Sequence, residues 1–336
     1  MEALWGRPGA GARAPVPRGV AAAAGWYRRA ETIMGGAVEI ELWAGAPRQA
    51  DAALDAVLQE MHRIDRAMSP HRADSELSRI NRQAALQAVR LSEEIFGLLA
   101  QAIDFSRWSD GAFDVSYAPL GALYGERAGA APDAAARTRA CQVVGWQQLI
   151  LDPRERSLRF ALPGMRIDLG GFAKGHAVDR AAALLRAHGI EHARVAAGND
   201  VRLLGDRRGR PWTLALRDPH RDGETVARLP LENVAVSTSC DAERPFIGVP
   251  GRHHPLLDPR TGAPPRGVRS VTVIAGDGLT VEALSKTVFV LGVTRGLRLI
   301  DSLPGVDAVI LDDAGALHAS NGLLEGVELG AAAAMA

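Results

Sequence analysis

The sequence predicts a fold that combines α-helices with short β-strands, as one large domain or two closely joined halves. Val38, Ile40 and Leu42 alternate with glutamates, which is typical of a half-buried strand. After Pro47 the apolar residues recur with the period of an amphipathic helix, up to Met68. The chain has 336 residues, 47% of them hydrophobic, so both kinds of element can pack on a sizeable core.

Further elements are expected in the first half of the chain. Residues 69–81 are polar and are expected to form a loop. Ser92 is a good N-cap for a second amphipathic helix, because two glutamates follow it. Residues 111–120 combine an aromatic, a carboxylate and a proline, which indicates a fixed loop, and the Ala-rich residues 126–140 indicate a surface excursion.

The second half is predicted to be richer in strands. They are expected near residues 149–151, 158–161, 165–169, 193–196, 201–204, 212–216, 234–237, 271–275 and 306–311. Two helices, near residues 280–291 and 296–303, fall among the last of them. The first of these helices is apolar nearly all round, so we expect it to be buried.

The stretch from Ile167 to Asp179 has the most informative pattern. An apolar strand is expected to turn at Gly170 and Gly171 and to continue as a helix. Adjacent glycines let the backbone approach a ligand, and the start of the helix offers free N–H groups to an anion. Lys174 falls in the first turn of the helix, where a cation is unfavourable unless an anion is near. An ordinary strand–turn–helix corner is the alternative interpretation.

Nearly all of the basic residues are arginines. Only Lys174 and Lys286 are lysines among 39 lysines and arginines. A compact ammonium differs chemically from the planar guanidinium fork, so these two positions are candidates for sites that need the smaller cation. Chance could also leave two lysines anywhere in the chain.

Composition excludes several classes of function. The formal net charge is zero and the pI is about 7.2, so no nucleic-acid partner and no acidic membrane surface are expected. Two cysteines, Cys141 and Cys240, form neither a disulfide framework nor a metal-ligand cluster. No apolar run is long enough to span a bilayer.

The termini are expected to be tails. Residues 1–30 are rich in Ala, Gly, Pro and Arg without a helical or strand period, so we expect them to be disordered. Residues 326–336 are expected to form a second tail. The stretch 19–25 is too short and too weakly apolar for a secretory signal, and no lipobox-like cysteine follows it, which favours a cytoplasmic location.

Three polar groups stand out in the second half. Residues 238–244 are dense in hydroxyls and charges, and residues 253–262 combine adjacent histidines with Asp258 and a tight turn. Adjacent histidines do not have zinc-site spacing, and a solvent-facing pair is the alternative. Glu282 and Lys286 lie four apart on the predicted buried helix. They form either a helix ion pair or part of a site, since buried charges are costly without a partner.

Several of these segments together resemble the ApbE family, the FAD:protein FMN transferases. The resemblance covers roughly residues 31–320 and rests on ordered blocks. These blocks are Met34-Gly35, the loop at 69–81, Gly111–Asp114 with Pro119-Leu120, Asp168–Gly175, Gly198–Asp200, Thr238-Ser239, His254–Gly262 and Glu282–Leu284. It implies a single α+β domain, at residues 31–325, with mixed sheets packed by helices and a relationship to the tunnelling fold.

The resemblance also implies a reaction and a set of site residues. FAD is split at its diphosphate, FMN passes to a Ser or Thr hydroxyl of an acceptor protein, and AMP leaves, with Mg²⁺ on the phosphates. The residues implied to line FAD are Met34, His71, Ala112, Phe113, Asp114, Asp168 and Lys174. The backbone carbonyl near Gly171 and the side-chain positions of Glu282 and Lys286 would hold the metal. His254 and Asp258 would lie close to the transferring phosphate.

The sequence departs from the family pattern at functional positions. A tyrosine that commonly packs on the flavin is His71, and Gly36, Asn199 and Cys240 replace other motif residues. The usual aspartate ligand of the metal is Glu282, and the usual threonine ligand is Lys286. Glutamate can bind Mg²⁺, whereas an ammonium cannot.

Three functions therefore remain open at the level of the sequence. The first is FMN transfer to a separate protein, and the second is FAD binding with little or no transfer. The third is an FAD pyrophosphatase, in which water replaces the acceptor hydroxyl. The chain contains no Asp-x-x-(Ser/Thr)-Gly-Ala-(Ser/Thr) acceptor motif, so modification of itself is not expected.

Overall fold

The computed structural model describes residues 24–125, 132–221, 224–241 and 256–324. The helices are α1 (Pro47–Met68), α2 (Glu76–Gln83), α3 (Glu93–Trp108), α4 (Ala118–Gly125), α5 (Ala134–Cys141), α6 (Ala173–Ala187), α7 (Gly278–Asp301) and α8 (Asn321–Leu324). The strands are β1 (Gly25–Ile33), β2 (Gly36–Ala44), β3 (Val89–Arg90), β4 (Leu149–Asp152), β5 (Ser157–Phe160), β6 (Ala193–Ala197), β7 (Asp200–Leu204), β8 (Trp212–Arg217), β9 (Thr225–Leu231), β10 (Ala235–Cys240), β11 (Val268–Ala275), β12 (Asp307–Asp312) and β13 (Leu317–Ala319).

An eight-stranded sheet with the order β1-β2-β6-β7-β10-β11-β12-β13 forms the centre of the fold. Two small sheets, β3-β5-β4 and β8-β9, accompany it. Within the described residues all strand pairs are antiparallel, and parallel pairing is limited to an isolated bridge between Tyr117 and Arg166. The predicted α+β single-domain class is confirmed.

The two faces of the central sheet are covered differently. Helices α1, α6 and α7 pack on one face, where alternate strand residues such as Val271 and Val273 enter the main core. The β8-β9 hairpin covers part of the other face, where Val236 and Ile274 point. Because both faces of β10 and β11 are covered, residues on these strands and on α7 can be fully buried.

Helices α6 and α7 cross at a pair of glycines. A Cβ atom at Gly175 would lie 2.2 Å from the carbonyl oxygen of Gly278, and one at Gly278 would lie 2.6 Å from that of Gly175. Only glycine permits such a close approach of two backbones. This crossing brings the N-termini of the two helices together.

The predicted N-terminal tail extends too far. Residues 25–30 belong to β1, an edge strand paired with β2 along its full length, so the expectation of disorder is wrong for them. Trp26 explains why this strand is held, since its ring packs edge-on against Trp43 and Trp212 at 5.6 and 5.5 Å. Residues 1–23 and the predicted tail at 326–336 lie outside the described residues.

Other elements differ from the sequence expectations in identifiable ways. The predicted loop at 69–81 contains the start of α2, which Ser75 caps by accepting a hydrogen bond from Ser78 N–H. The expected strand at 165–169 makes only the single bridge at Arg166. Strand β9 was not predicted, and the two helices expected at 280–303 form one element with a kink at Gly292.

No helix in the described ranges is both long and apolar enough to cross a membrane.

Candidate functional site

The segment before α6 is fixed by side-chain hydrogen bonds and by a backbone contact to Val115, without belonging to a sheet. Asn81 accepts from Ile167 N–H at 2.8 Å and donates to its carbonyl oxygen at 2.9 Å. Asp168 N–H donates to Val115 O at 2.8 Å, and the Asp168 carboxylate accepts from Gly170 N–H at 2.5 Å. These contacts set the direction of the Gly170-Gly171 turn, and Asn81 is a positioning residue that the sequence analysis did not identify.

Glu282 lies at the centre of the charged cluster and is fully buried. Its Oε2 accepts from Gly175 N–H at 2.7 Å, in the first turn of α6. Its Oε1 is 3.3 Å from Lys286 Nζ and 4.0 Å from Lys174 Nζ. Burial, with Asp200 nearby, raises the pKa of Glu282, and the two ammoniums oppose this rise. Both lysines of the chain therefore meet at one buried carboxylate.

Asp200 is the second carboxylate of the cluster and binds Lys174. Lys174 Nζ donates to Asp200 Oδ2 at 2.7 Å, and Ser237 Oγ donates to Asp200 Oδ1 at 2.7 Å. Ser285 Oγ lies 3.1 Å from Ser237 Oγ and 2.9 Å from Ser239 Oγ. Ser237 donates its one proton to Asp200, so Ser285 is the donor to Ser237 and accepts from Ser239, and its single proton is shared between Ser237 Oγ and the Glu282 carbonyl oxygen at 3.1 Å. The three serines thus orient Asp200 towards Lys174.

The sequence contained a weak signal for these additional residues. Asp200 belongs to a motif that carried the resemblance, although no role was assigned to it. Ser237 and Ser239 alternate with apolar and hydroxyl neighbours on a strand, and Ser285 lies between Glu282 and Lys286 in the first half of α7. Hydroxyls at alternate positions of a covered strand need partners, but their identity depends on the packing of α7.

Helices α6 and α7 cap one another at their crossing. Glu282 of α7 accepts from Gly175 N–H of α6, while Asp179 of α6 accepts from Gly278 and Leu279 N–H of α7 at 2.8 and 3.1 Å. In each helix the glycine precedes the carboxylate by four residues. A carboxylate at a helix N-terminus satisfies free N–H groups and interacts favourably with the helix dipole. Glu282 is therefore partly committed to holding α6.

Lys286 lies against the Gly170-Gly171 turn. A Cβ atom at Gly171 would be 3.2 Å from Lys286 Cδ and 3.6 Å from the ring of Phe113. Phe113 in turn packs against Phe105 and Phe172 in the core, with ring centroids 6.2 and 5.5 Å away. The structure thus brings together the predicted positions 113, 171, 282 and 286.

Asp114 has a structural set of partners. Its Oδ1 accepts from Ser116 N–H and Oγ at 2.8 and 2.7 Å, and its Oδ2 accepts from Trp146 N–H at 2.8 Å. Ser116 Oγ also accepts from Gly145 N–H. Burial raises the pKa of Asp114, while these hydrogen bonds act in the opposite direction. With the buried Ala112, it fixes the loop that carries Phe113.

Tyr117 is a further residue near the site. The negative charge of Asp168 is the largest cause that raises the pKa of its phenol, followed by burial and the charge of Glu282. The Tyr117 hydroxyl therefore remains protonated at neutral pH and is a donor near two carboxylates.

Met34 and His71 lie in two different turns. Met34 and Gly35 both have positive φ and form the β1-β2 turn. The turn at Gly198 contacts the start of β2, because Gly198 N–H donates to Ala37 O. An added Cβ at Gly198 would be 3.8 Å from Lys174 Nζ. Met34 lies in the β1-β2 turn, three residues before Ala37, whereas His71 is exposed in the turn after α1.

Asp258 is paired within its own turn. Both of its oxygens accept from the Arg260 side chain at 2.8 Å, and the stem of Arg260 lies 3.6 Å from a Cβ built at Gly111. The pair therefore contacts the loop that carries Phe113. His254, the other predicted residue near the transferring phosphate, lies outside the described residues.

The cluster does not fit a Mg²⁺ ion. Mg²⁺ needs near-octahedral oxygen ligands at about 2.0–2.1 Å. Each oxygen of Asp200 and Glu282 already has a cation or a hydrogen-bond donor beside it. In the described part of the chain, no group of three or more His, Cys, Asp or Glu residues could hold a metal. An ammonium beside the carboxylate also repels a second cation.

A Gly-Gly turn, a helix N-terminus and two ammoniums on an α+β scaffold define a protein with a candidate anion site. The model of the ApbE family matches residues 34–310. A Treponema pallidum protein named FAD:protein FMN transferase is 30% identical over 322 residues, which cover 90% of this chain and 89% of that protein. The chain therefore belongs to the ApbE family, as its motifs predicted.

Solved structures agree with this assignment. An ApbE protein from Thermotoga maritima matches with a TM-score of 0.82 at 32% identity, over 90% of this chain and 99% of its own. Flavin transferase ApbE from Vibrio cholerae matches with a TM-score of 0.81 at 26% identity, also over 90% of this chain and 99% of its own.

Proposed function

We propose that this protein is an FAD:protein FMN transferase. The observation that carries the proposal is the site at the N-terminus of α6, where two ammoniums adjoin a Gly-Gly turn in a chain of the ApbE family. A diphosphate is the anionic part of FAD, and fixed ammoniums and helix N–H groups are suited to bind it.

In the proposed reaction, a Ser or Thr hydroxyl of an acceptor protein attacks the phosphorus of the FMN half. The new O–P bond forms as the diphosphate P–O bond breaks, AMP leaves with the electron pair of that bond, and the hydroxyl proton is released to solvent. Lys174 and Lys286 would stabilise the charge on the phosphate oxygens, and positioning of the two reactants would supply much of the rate.

We assign the remaining residues as follows. Phe113 and Met34 would provide apolar contacts to the flavin, with Ala112 and Asp114 holding the loop of Phe113. Asp168 would fix the turn beside the phosphates. Asp258, held by Arg260, and His254 are proposed to lie near the transferring phosphate, and His71 is proposed at the outer end of the FAD site. The cytoplasmic location stays a prediction.

The pairing of all four charges favours a second candidate function. Lys174 and Lys286 are already balanced by Asp200 and Glu282, and the described cluster has no place for a metal. A site of this kind is suited to hold FAD, whereas transfer also requires stabilisation of additional charge on the leaving AMP. An FAD-binding relative with little transfer activity is the function that this observation favours.

Mass spectrometry of the products separates the candidates. The purified protein is incubated with FAD, Mg²⁺ and an acceptor protein that carries the Asp-x-x-(Ser/Thr)-Gly-Ala-(Ser/Thr) motif. A matched acceptor with alanine at the modified hydroxyl residue is the control. FMN on the first acceptor alone supports transfer, and intact bound FAD supports the binding protein. Free FMN with AMP in the absence of modified acceptor would contradict both and indicate hydrolysis.

A further inference from the structure

We propose that Lys286, with Lys174, takes the place of the divalent cation that the family resemblance implies, so that this chain binds FAD without a metal. The inference rests on the proposed function for the identity of the ligand. It concerns Lys286, because this chain has an ammonium at the position where the family pattern has a threonine.

The position of Lys286 is fixed from two sides. Its stem crosses Gly171, where an added Cβ would lie 3.2 Å from Cδ and 3.4 Å from Cε. Its Nζ lies 3.3 Å from both Glu282 Oε1 and the Glu282 carbonyl oxygen. The ammonium therefore occupies the space between the Gly-Gly turn and the carboxylate, which are the other two implied metal ligands.

The negative and positive charges of the cluster balance without a metal. Two carboxylates, Asp200 and Glu282, contact two ammoniums, Lys174 and Lys286. The second oxygen of Glu282 is bound to Gly175 N–H. A divalent ion would have to displace this helix cap or approach an ammonium within contact distance, and both are unfavourable.

The lysine side chains of the cluster are more accessible than its carboxylates. The side chains of Lys174 and Lys286 are 27% and 22% exposed, whereas those of Asp200 and Glu282 are 2% and 0% exposed. An approaching ligand can therefore contact the lysine side chains, whereas the carboxylates lie buried behind them. Among the described residues no acceptor is hydrogen-bonded to Gly171 N–H, so this group can also donate to an anion. This arrangement suits a diphosphate and provides the positive charge that a metal would otherwise supply.

FAD affinity in Mg²⁺ and in EDTA tests the inference. Fluorescence quenching of FAD is measured with the wild type, Lys286→Met and Lys286→Thr. The control is Arg298→Met, which removes a charge from an exposed position on the same helix. The wild type should bind FAD with affinities that differ by less than about threefold between the two buffers. Lys286→Met should weaken binding about 10- to 100-fold in both, and Arg298→Met should leave it unchanged.

Lys286→Thr removes the charge and adds a hydroxyl oxygen. It should bind FAD weakly in EDTA and about tenfold more tightly in Mg²⁺. Calorimetric titration of the FAD-free wild type with Mg²⁺ should show no binding. If the variants fail to fold, the wild type alone decides the question by the same two measurements.

The outcomes separate this inference from the proposed function. Wild-type binding that is lost in EDTA and restored by Mg²⁺ overturns the role of Lys286 and leaves the proposed function intact. Absence of FAD binding in both buffers overturns the proposed function itself. Tight binding in both buffers with an unaffected Lys286→Met variant also overturns the inference, because the ammonium then contributes nothing to the ligand.

Discussion

The N-termini of α6 and α7 are built alike but serve different purposes. Each contains a glycine that contacts the other helix, and each is capped by the carboxylate that lies four residues after the partner's glycine. Glu282 caps α6 at Gly175, and Asp179 caps α7 at Gly278 and Leu279. Each capping carboxylate also forms an ion pair, and the two ends differ in whether the cation or the carboxylate of that pair is buried.

At α7 the cation is buried, with the Arg202 side chain 7% exposed and Asp179 27% exposed at 3.7 Å. Burial raises the pKa of Asp179 and lowers the pKa of Arg202. At α6 the carboxylate Glu282 is buried, and Lys174 and Lys286 remain accessible. A buried cation can only support the fold, whereas accessible cations over a buried carboxylate can also contact a ligand. We therefore interpret the α7 end as structural and the α6 end as the binding site.

The largest expected effect comes from removing the shared glycine contact. Gly175→Ala and Gly278→Ala would each place a Cβ within 2.6 Å of a backbone carbonyl oxygen, where no side chain can move aside. We expect each to destabilise the protein by about 3 kcal/mol or more in chemical denaturation.

Gly97 provides the matched control, because it lies within α3 and an added Cβ meets no atom within 4 Å. Gly97→Ala should stabilise the protein by about 0.5–1 kcal/mol. Equal effects at positions 97 and 175 would contradict the close crossing.

The two capping carboxylates should differ in importance. Glu282→Gln leaves two ammoniums near a neutral amide, whose single oxygen cannot serve both them and Gly175 N–H. We expect a loss of about 3 kcal/mol of unfolding free energy. Asp179→Asn keeps an oxygen for Gly278 and Leu279 and should cost about 1 kcal/mol. Comparable losses in the two variants would show that the ends are energetically equivalent.

Removing Lys174 and removing Arg202 should have different effects on the affinity for FAD. Lys174→Met should weaken FAD binding by about 1–3 kcal/mol, since it removes a charge-assisted contact to phosphate. Arg202→Met should change the affinity less than about twofold, because a structural cation does not contact the ligand. The affinities are measured by flavin fluorescence quenching in proteins checked for folding. An equal loss in both variants would remove the distinction between the two ends.

The smallest expected effect is on the outer face of α6, away from the crossing. Glu94 contacts His176 of α6 and Arg63 of α1, and these hydrogen bonds lower the pKa of Glu94 to about 2. Because the folded-state pKa is below that of the unfolded chain, the stabilisation is present above pH about 4.5 and is lost as the pH falls towards 2.

Glu94→Gln should therefore cost about 1 kcal/mol or less at neutral pH, since this pair is partly exposed. The difference in melting temperature between variant and wild type should shrink as the pH falls below about 4.5. A constant difference across this range would contradict the assigned pairing. FAD affinity should be unchanged.

The sequence predicted those helices and strands whose signal, an apolar periodicity or a capping residue, lies within the element itself. The alternation at Val38–Leu42 and the N-cap at Ser92 led to β2 and α3, because these signals are contained within a few residues. The polar residues 69–81 were less clear, since α2 is short and stabilised by the clamp between Asn81 and Ile167, 86 residues away. Strand β1 was missed because its regularity comes from pairing with β2 and from tryptophan contacts.

The site was predicted in part for the same physical reason. The Gly-Gly turn, Lys174 and the Glu282–Lys286 pair are visible as short motifs. Their convergence depends on the crossing at Gly175 and Gly278, which no local pattern shows. Asp179 and Asp200 acquire their roles only through that crossing, so sequence reasoning named the cations and missed one carboxylate partner and one helix cap.

The scarcity of lysine provides the most direct test of the central claim, that both ammoniums bind the ligand. Protein labelled with ¹³C at lysine Cε has two labelled side chains, Lys174 and Lys286, so each NMR signal reports on the site. In EDTA, addition of FAD should shift both signals, and addition of Mg²⁺ without FAD should shift neither. Bound FAD with both signals unmoved would contradict the account.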